Sequence, residues 1–355
     1  MEIVRPTLVI NKNKCIRNIK KIQNKIKNTK IVFRPHFKTH QSKTVGELYR
    51  GLGIDKITVS SVDMAIYFYK NYWDDITIAF PFNILEINKV NKELKQCKLS
   101  LIASDIETLL YLNENLEFKV NLYLELDFGL NRSGIKADDF ANIEKFINKA
   151  KESKKINFIG FLTHNGETYN VKGIANIKQI YEKTILQIKK IKKYFGDEYI
   201  FSIGDTPIVS TIEVFDDVID EIRPGNFVYY DLMQYEIGVC SLDEISSIVY
   251  APVVSKYDKE RKIVLYCGAV HLSKDSLVIN GKNVYGRLVL DGDITSNYIE
   301  RISQEHSIVN CAQNDFNKLK IGDLVGIIPI HSCLTADLLK DHTYFDDGAK
   351  IDVMR

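Results

Sequence analysis

The stretch VNLYLELDFGLNRSG at residues 120–134 contains the pattern that decides the fold, a short apolar run that ends in a glycine-containing loop. The polar segment Phe140–Lys149 follows with helical spacing, and the next apolar run, INFIGFL, occupies residues 156–162. Strands that are apolar on both faces and alternate with amphipathic helices are typical of a parallel sheet. Outward from this unit, the same alternation extends back to residue 30 and forward to residue 222.

Eight apolar runs of this kind precede Cys240. They are Lys30–Phe33, Lys56–Val59, Ile76–Phe80, Leu99–Ala103, Val120–Leu126, Ile156–Leu162, Tyr199–Ile203 and Val218–Ile222. Their number and spacing favour a (β/α)8 barrel over an open, doubly wound sheet. After Cys240 the apolar runs are separated by turn residues, and Asn280-Gly281 is a two-residue hairpin signal. The sequence therefore predicts an α/β protein with a TIM-like (β/α)8 barrel at residues 1–242 and a smaller antiparallel β-domain at residues 243–355.

The composition excludes several classes of protein. Apolar residues make up 45% of the chain and charged residues 26%, which is incompatible with global disorder. The net charge of +2 provides no basic field for a nucleic acid or an anionic membrane. No apolar stretch approaches the ~20 residues that span a bilayer, and the first residues lack the features of a signal peptide. We therefore expect a cytoplasmic protein with reduced cysteines that binds neither nucleic acid nor membrane.

Barrel enzymes carry their chemistry at the carboxyl ends of the strands, so the residues directly after each predicted strand are the first candidates. Lys38 comes after the first strand, between two histidines, where a desolvated amine could act as a nucleophile. Arg132 lies in the glycine-containing loop after the fifth strand, and His164 ends the sixth. The alternatives are that Lys38 is an ordinary surface lysine, that Arg132 forms a loop salt bridge and that His164 is a structural histidine.

The turns after strands seven and eight contain the residues of a candidate phosphate site. Gly204 and Thr206 come after strand seven, and Gly225 and Asn226 come after strand eight. Backbone N–H groups and a hydroxyl in these turns commonly hold a phosphate in such barrels. The alternative is a pair of ordinary turns.

A candidate metal motif lies directly after the apolar run Val325–Ile330 near the end of the chain. If the strand continues, alternation places His331 and Cys333 on one face. Imidazole and thiolate are both good zinc ligands, and two ligands leave positions open for water or substrate, as in a catalytic site. The alternative is a buried cysteine beside an unrelated histidine.

Five motifs together resemble one family: PHFKTH at 35–40, LDFGLNRSG at 126–134, GDTP at 204–207, RPGNFVYYD at 223–231 and HSCLTADL at 331–338. They resemble the fold type III pyridoxal-phosphate enzymes, the alanine racemase group, and within it the D-serine dehydratase and D-threonine aldolase branch. The resemblance covers nearly the whole chain, with the motifs in the same order.

The resemblance implies roles for the candidate residues. Lys38 would bind pyridoxal 5'-phosphate covalently and act as the catalytic base. The remaining assignments are a phosphate site at Gly204, Thr206, Gly225 and Asn226, a ring neighbour at Tyr169, a contact to the ring edge or substrate at Arg132, and a Zn2+ site at His331 and Cys333. Asp205 stands where a small residue is commoner, so its carboxylate would lie near the phosphate unless it faces away.

The implied function is a zinc-dependent lyase that eliminates the β-hydroxyl of a D-amino acid to give a 2-keto acid and ammonia. Similar aldolases carry Asp where this chain has Cys333, and a thiolate selects zinc, which favours the dehydratase. The alternatives are a D-threonine aldolase-like cleavage with His164 as base, a racemase, and a non-catalytic pyridoxal-phosphate carrier. D-Serine, D-threonine and 3-hydroxyaspartate remain open as substrates. The resemblance also implies a homodimer.

Overall fold

The computed structural model describes residues 2–355, which form two compact units. The barrel unit comprises Lys20–Lys38 and Tyr49–Gly225, and the sheet unit comprises the described residues up to Ile19, Thr39–Leu48 and Asn226–Arg355. Helices Lys12–Ile26 and Lys43–Arg50 contribute residues to both units. The predicted boundary between residues 242 and 243 stays a prediction.

The barrel unit contains eight parallel strands that form one continuous sheet. Val32–Phe33 pairs with Glu221–Ile222, and a parallel bridge between His36 and Thr58 joins the first strand segment to the second strand, which closes the barrel. The predicted barrel is confirmed. In sheet order the strands are Val32–Phe33, Glu221–Ile222, Ile200–Gly204, Ile156–His164, Val120–Asp127, Lys98–Ala103, Asp75–Pro81 and Lys56–Val59, and a short strand, Ile135–Lys136, pairs with Val120–Asp127.

Helices connect these strands, and side-chain caps define where several of them begin. Ser61, Asp105 and Asp205 each accept a backbone N–H from the first turn of the helix that comes next.

No helix within residues 2–355 is both long and apolar enough to cross a membrane. The helices are Val62–Tyr69, Ile87–Glu93, Ile106–Asn115, Phe140–Glu152, Ile174–Phe195 and Thr206–Thr211, with 3-10 turns at Phe37–Thr39, Ile84–Glu86 and Gly166–Asn170.

A buried polar cluster inside the barrel fixes two arginines. Glu221 accepts a hydrogen bond from Arg34 Nε at 2.6 Å and another from Ser202 Oγ at 2.6 Å. Ser202 Oγ in turn accepts from Arg223 Nε at 2.7 Å. Buried charges are tolerated only when they are paired and hydrogen-bonded, so this cluster holds Arg223 in one position.

The sheet unit is built on an eight-stranded sheet in which all pairs but one are antiparallel. The exception is the parallel pair between Thr7–Ile10 and Thr343–Phe345. Lys262–Tyr266 also pairs with Ser247–Tyr257, which closes six of the strands into a ring. The predicted antiparallel domain is confirmed, and the strand at Thr7–Ile10 is an addition from the start of the chain. In order the strands are Lys262–Tyr266, His306–Asn310, Asp293–Ile302, Gly286–Leu290, Leu324–Pro329, Ser247–Tyr257, Thr7–Ile10 and Thr343–Phe345.

The predicted hairpin at Asn280-Gly281 joins Leu277–Ile279 to Lys282–Val284. Both turn residues have positive φ, 50° and 77°, as a type I′ turn requires. The sheet unit also contains helices Leu232–Ile237, Ala269–Leu272, Gln313–Lys318 and Ser332–Leu338, with 3-10 turns at Asn226–Val228, Leu242–Glu244 and Lys340–His342.

Candidate functional site

Lys38 lies in a 3-10 turn that comes directly after the first barrel strand. The backbone N–H of Lys38 donates to His36 Nδ1 at 3.3 Å, and the N–H of His36 donates to Pro224 O at 2.8 Å. These bonds fix the backbone of the lysine, while its side chain is exposed. The amine is therefore accessible, and it is not desolvated as the sequence suggested.

His164 ends the sixth barrel strand and is held as a neutral imidazole. Its Nδ1 lies 2.5 Å from Gly204 O, and since a carbonyl can only accept, Nδ1 carries the proton. Burial, reinforced by the positive charge of Lys38, lowers the pKa of His164 to about 3. Tyr169 is close, with its ring centroid 6.3 Å from that of His164. Within the barrel unit, the structure thus brings together Lys38, His164, Tyr169 and the Gly204 turn.

Arg223 packs against the Gly204 turn, and sequence reasoning missed it. A Cβ at position 204 would lie 3.1 Å from the Arg223 guanidinium carbon, so only glycine fits without displacement. The guanidinium donates to Thr163 O at 2.6 Å, and burial lowers its pKa to about 10. A buried cation therefore lies beside the turn predicted to hold an anion. The only sequence signal was its place in the RPG motif.

Asp205 faces its own helix, which answers the question that the sequence raised. Its Oδ1 accepts the N–H of Ile208 at 2.6 Å, and its Oδ2 accepts from Thr168 Oγ1 at 3.2 Å. Burial raises the pKa of the carboxyl to about 7. The adjacent hydroxyl, Thr206 Oγ1, is buried and has no hydrogen-bond partner among the described residues. An orphaned buried hydroxyl fits a phosphate oxygen, so this residue is compatible with the implied cofactor.

Arg132 lies in the loop after the fifth strand with its side chain largely exposed. Its Nη2 is 3.9 Å from Glu125 Oε1, and Glu125 also accepts from Ser133 Oγ at 3.0 Å. Asp127 Oδ1 accepts the N–H groups of Gly129 and Asn131, each at 3.0 Å, which closes the loop on itself. Arg132 is therefore presented to solvent on a defined loop.

The metal motif does not continue the preceding strand, so that prediction is wrong. The strand ends at Pro329, and His331 is the extended residue (φ −133°) that precedes helix Ser332–Leu338. Asp231 Oδ2 accepts the backbone N–H of Ser332 at 2.9 Å, which anchors the first turn of that helix. Cys333 lies in this first turn and still meets His331, because their side chains share a hydrogen bond.

His331 and Cys333 form a donor pair that fits zinc. Burial alone would lower the pKa of His331, but the hydrogen bond and negative charge of Cys333, with the charge of Asp231 and the hydrogen bond to Asp275, raise it to about 10. Asp275 Oδ2 lies 3.0 Å from His331 Nδ1. A carboxylate on Nδ1 leaves Nε2 for a metal, which is the usual arrangement of a metal-binding histidine. Within residues 2–355 no three His, Cys, Asp or Glu side chains form a larger ligand set.

The side chain of Asn226 points into the metal-motif network, which changes its predicted role. Its Nδ2 donates to Asp231 Oδ2 at 2.6 Å and to Ser332 Oγ at 3.0 Å. The remaining amide atom, Oδ1, is buried without a partner among the described residues and can only accept. Such an oxygen repels a phosphate, so only the backbone N–H of Asn226 remains suitable for one. Gly225, the preceding residue, is buried and non-helical.

Comparisons with known proteins agree with this architecture. The alanine racemase N-terminal domain matches residues 10–232, and the serine dehydratase domain matches residues 246–344. The chain is 28% identical to the D-serine dehydratase of Dictyostelium discoideum, over 96% of this chain and 92% of that protein. It is 26% identical to the D-threo-3-hydroxyaspartate dehydratase of Delftia sp. HT23, over 93% and 91% of the two chains.

Solved structures show the same fold. The structure of the Delftia dehydratase superposes with a TM-score of 0.88 at 23% identity, covering 99% of this chain and 98% of that one. D-Threonine aldolase from Filomicrobium marinum superposes with a TM-score of 0.78 at 18% identity, covering 94% and 89%. The chain therefore belongs to the family built on the alanine racemase N-terminal domain, the fold type III pyridoxal-phosphate enzymes, in the branch that carries a serine dehydratase domain after the barrel.

Proposed function

We propose that this protein is a pyridoxal-phosphate- and zinc-dependent lyase that dehydrates a β-hydroxy-D-amino acid to a 2-keto acid and ammonia. The observation that carries the proposal is the imidazole–thiolate pair of His331 and Cys333, with Asp275 on Nδ1 of the histidine. A racemase or a cofactor carrier has no use for such a pair. The Dictyostelium and Delftia dehydratases match nearly the whole chain, and the serine dehydratase domain match at residues 246–344 spans this motif.

Lys38 and the turns after strands seven and eight are the residues that would hold the cofactor. Lys38 would provide the covalent attachment, and the hydroxyl of Thr206 with the backbone N–H groups near Gly225 and Asn226 would bind the phosphate. Pyridoxal phosphate supplies an electron sink that stabilises negative charge on the Cα of an amino acid. The Lys38 amine, exposed at a fixed backbone, would take the Cα proton as general base.

His331 Nε2 and Cys333 Sγ would hold the zinc ion. Zinc supplies a Lewis acid that makes a β-hydroxyl a better leaving group. One solved structure of a D-threo-3-hydroxyaspartate dehydratase mutant is in the metal-free form, which supports a metal in that relative. The thiolate selects zinc over harder ions in this chain.

The geometry of His164 favours dehydration over aldol cleavage. Cleavage requires a base that removes the proton of the β-hydroxyl, and His164 is the residue considered for that role. Its Nδ1 is committed to Gly204 O, and its pKa of about 3 makes Nε2 a weak base near neutral pH. We propose that His164 acts instead as a neutral neighbour of Lys38.

Five further features are proposed from the sequence. The family resemblance is the basis for a homodimeric state, for Tyr169 as the ring neighbour and for Arg132 as a contact to the cofactor edge or substrate. Composition is the basis for a cytoplasmic location, and the change of pattern after Cys240 is the basis for a domain boundary between residues 242 and 243.

The test is to purify the protein with pyridoxal phosphate and zinc and to offer D-serine, D-threonine and D-threo-3-hydroxyaspartate with their L-forms. Keto acid, ammonia and glycine are measured in parallel, with and without a chelator. We expect chelator-sensitive keto acid and ammonia from D-substrates only. Lys38→Ala should abolish turnover and the cofactor absorbance band, whereas Lys30→Ala, at another exposed lysine, should change neither. Glycine and aldehyde would move the assignment to the aldolase, and no cofactor band at all would overturn the proposal.

A further inference from the structure

Lys25 is a buried lysine whose ammonium group closes the carboxyl end of helix Thr206–Thr211. Its side chain is only 6% exposed, and it lies in the last turn of helix Lys12–Ile26. Lys25 and helix Thr206–Thr211 both belong to the barrel unit. The Nζ atom donates to three backbone carbonyl oxygens at the end of that helix. The acceptors are Ser210 O at 2.5 Å, Ile212 O at 3.0 Å and Val209 O at 3.3 Å.

This helix depends on contacts at its two ends. It has six residues, all of them buried, and a helix of that length is not stable by itself. At its amino end, Asp205 Oδ1 accepts the N–H of Ile208 at 2.6 Å. The last carbonyls of a helix have no partner within it, and leaving them buried and unpaired costs free energy. Lys25 satisfies these carbonyls with one charged group, so it fixes the position of the carboxyl end.

The first residue of the same helix, Thr206, is the one proposed to bind the phosphate. Its hydroxyl is buried and has no hydrogen-bond partner among the described residues. Ser210 lies about one helical turn after Thr206, roughly 6 Å along the helix axis. Because both residues belong to one helix, no flexible segment separates them. A shift at the carboxyl end therefore moves the Thr206 hydroxyl as well.

The ammonium group of Lys25 is not itself a phosphate ligand. An ammonium has three N–H donors, and the three carbonyls at the end of the helix accept all of them. The mostly exposed carboxylate of Glu213 also lies close, with Oε1 3.3 Å from Lys25 Nζ, and it balances the positive charge. Any effect of Lys25 on a bound phosphate must therefore act through the position of the helix.

We infer that Lys25 is a positioning residue for the phosphate group of the cofactor, acting through helix Thr206–Thr211 on the hydroxyl of Thr206. The inference rests on the proposed function, which supplies the phosphate. Its consequence is selective. Loss of the ammonium group weakens the binding of a ligand that carries a phosphate and leaves the binding of the same ligand without a phosphate unchanged.

The experiment compares two dissociation constants, measured by absorbance titration of the cofactor-free protein. One is for pyridoxal phosphate and the other is for 5'-deoxypyridoxal, the analogue without the phosphate, so their ratio measures what the phosphate contributes. Lys25→Met keeps an unbranched side chain without the ammonium, and the phosphate's contribution should fall roughly tenfold, as expected for a weakened hydrogen bond to a charged group. Lys25→Arg should lower it too, because no guanidinium nitrogen has three N–H groups to direct at three carbonyls.

Lys155→Met is the matched control. Lys155 Nζ donates to the carbonyl of Leu116, at the end of helix Ile106–Asn115 in the same barrel unit. Both substitutions remove a lysine that caps the carboxyl end of a barrel helix, so both should lower the stability of the protein. Only Lys25→Met should change the ratio of the two dissociation constants. In a double-mutant cycle, Lys25→Met should lower the ratio little further once Thr206→Val has removed the hydroxyl.

The outcomes separate this inference from the proposed function. An unchanged ratio in folded Lys25→Met, or an equal fall in Lys155→Met, overturns the role of Lys25 and leaves the cofactor assignment intact. A full additional fall on top of Thr206→Val overturns the action through that hydroxyl. If Lys25→Met does not fold, the ratio in Lys25→Arg decides in the same way. A wild type that binds neither compound overturns the proposed function.

Discussion

Replacing Asp205 by Asn should remove a pH-dependent loss of stability from the barrel unit. The carboxyl is buried, its Oδ1 caps helix Thr206–Thr211 through Ile208 N–H, and its Oδ2 accepts from Thr168 Oγ1. Asparagine keeps an oxygen that can cap the helix through Ile208 N–H. Its side-chain N–H can donate to the Thr168 hydroxyl at the place where Asp205 Oδ2 accepts. Asp205→Asn therefore preserves the cap while it removes the titration.

The sign and size of the effect follow from the pKa. Burial raises the pKa of Asp205 from 3.8 to about 7, so the folded state holds the proton more tightly than the unfolded state. The stability contributed by the neutral carboxyl is fully present below the unfolded pKa and is lost as the pH rises through the folded pKa. The loss amounts to about 1.4 kcal/mol per pH unit and roughly 4 kcal/mol in total.

The assay is urea denaturation of the cofactor-free wild type and Asp205→Asn at several pH values between about 5 and 8. The difference in unfolding free energy should grow in favour of the variant up to about pH 7 and then level off. Asp105→Asn is the matched control, because Asp105 caps helix Ile106–Asn115 and accepts the Thr108 hydroxyl at the protein surface. Wild-type and Asp205→Asn curves that stay parallel over this range would refute the raised pKa.

Three further substitutions test the fold and the two binding sites. Gly160→Ala should prevent folding of the barrel unit, since its Cβ would lie 2.1 Å from Ile200 O at a φ of +150°; a soluble variant with wild-type circular dichroism would contradict this. Asp275→Ala should weaken zinc binding by about 10–100-fold because His331 loses the acceptor on Nδ1, and unchanged zinc affinity in a chelator competition would count against that role. Thr206→Val should raise the dissociation constant of pyridoxal phosphate by roughly tenfold or more, as expected for a lost hydrogen bond to a charged group. Thr206→Ser should restore the affinity, and if it does not, the hydroxyl is not the phosphate ligand.

The barrel could be predicted from sequence because its signal is local. Each strand is a short apolar run that is buried on both faces, so its identity does not depend on knowing its partner. Lys56–Val59 has the same bounds in the prediction and in the structure, and Phe140–Lys149 lies within helix Phe140–Glu152. In the sheet unit, the apolar run Val325–Ile330 differs by one residue at each end from the strand Leu324–Pro329.

For lack of such a signal, three strands of the sheet unit were missed: Thr7–Ile10, Asp293–Ile302 and Thr343–Phe345. Thr7–Ile10 pairs with Ser247–Tyr257, and nothing in four residues indicates a partner about 240 positions away. Asp293–Ile302, with the sequence DITSNYIERI, is mostly polar because it buries few of its side chains. The strand predicted through His331–Cys333 was wrong because a distant carboxylate, Asp231, anchors a helix there.

The residues of the candidate site also fall into two groups, those that the sequence could indicate and those that only the fold reveals. Lys38, His164 and the pair His331 and Cys333 could be named because their side chains are rare, reactive and placed at element ends. The residues that contact these side chains and fix their positions have no comparable sequence signal. Asp275 meets His331 across 56 positions of sequence, and Thr39 meets Cys333 across 294. Such contacts depend on the three-dimensional fold, and one sequence alone contains no trace of them.

The cysteine of the candidate metal motif is matched in size to its neighbours. A hydroxyl reaches a carboxylate oxygen at about 2.5–2.7 Å, whereas Thr39 Oγ1 lies 3.2 Å and Asn226 Nδ2 lies 3.6 Å from Cys333 Sγ, as the larger sulfur requires. An aspartate at this position would carry its oxygens one bond further from Cβ, where the same donors could not keep their places. Asp231 Oδ2 accepts hydrogen bonds from both the side-chain amide of Asn226 and the hydroxyl of Ser332. Displacing Asn226 would therefore also disturb Ser332. The cysteine proposed to hold zinc is therefore built into the packing of the sheet unit and is not an isolated difference from the aldolases.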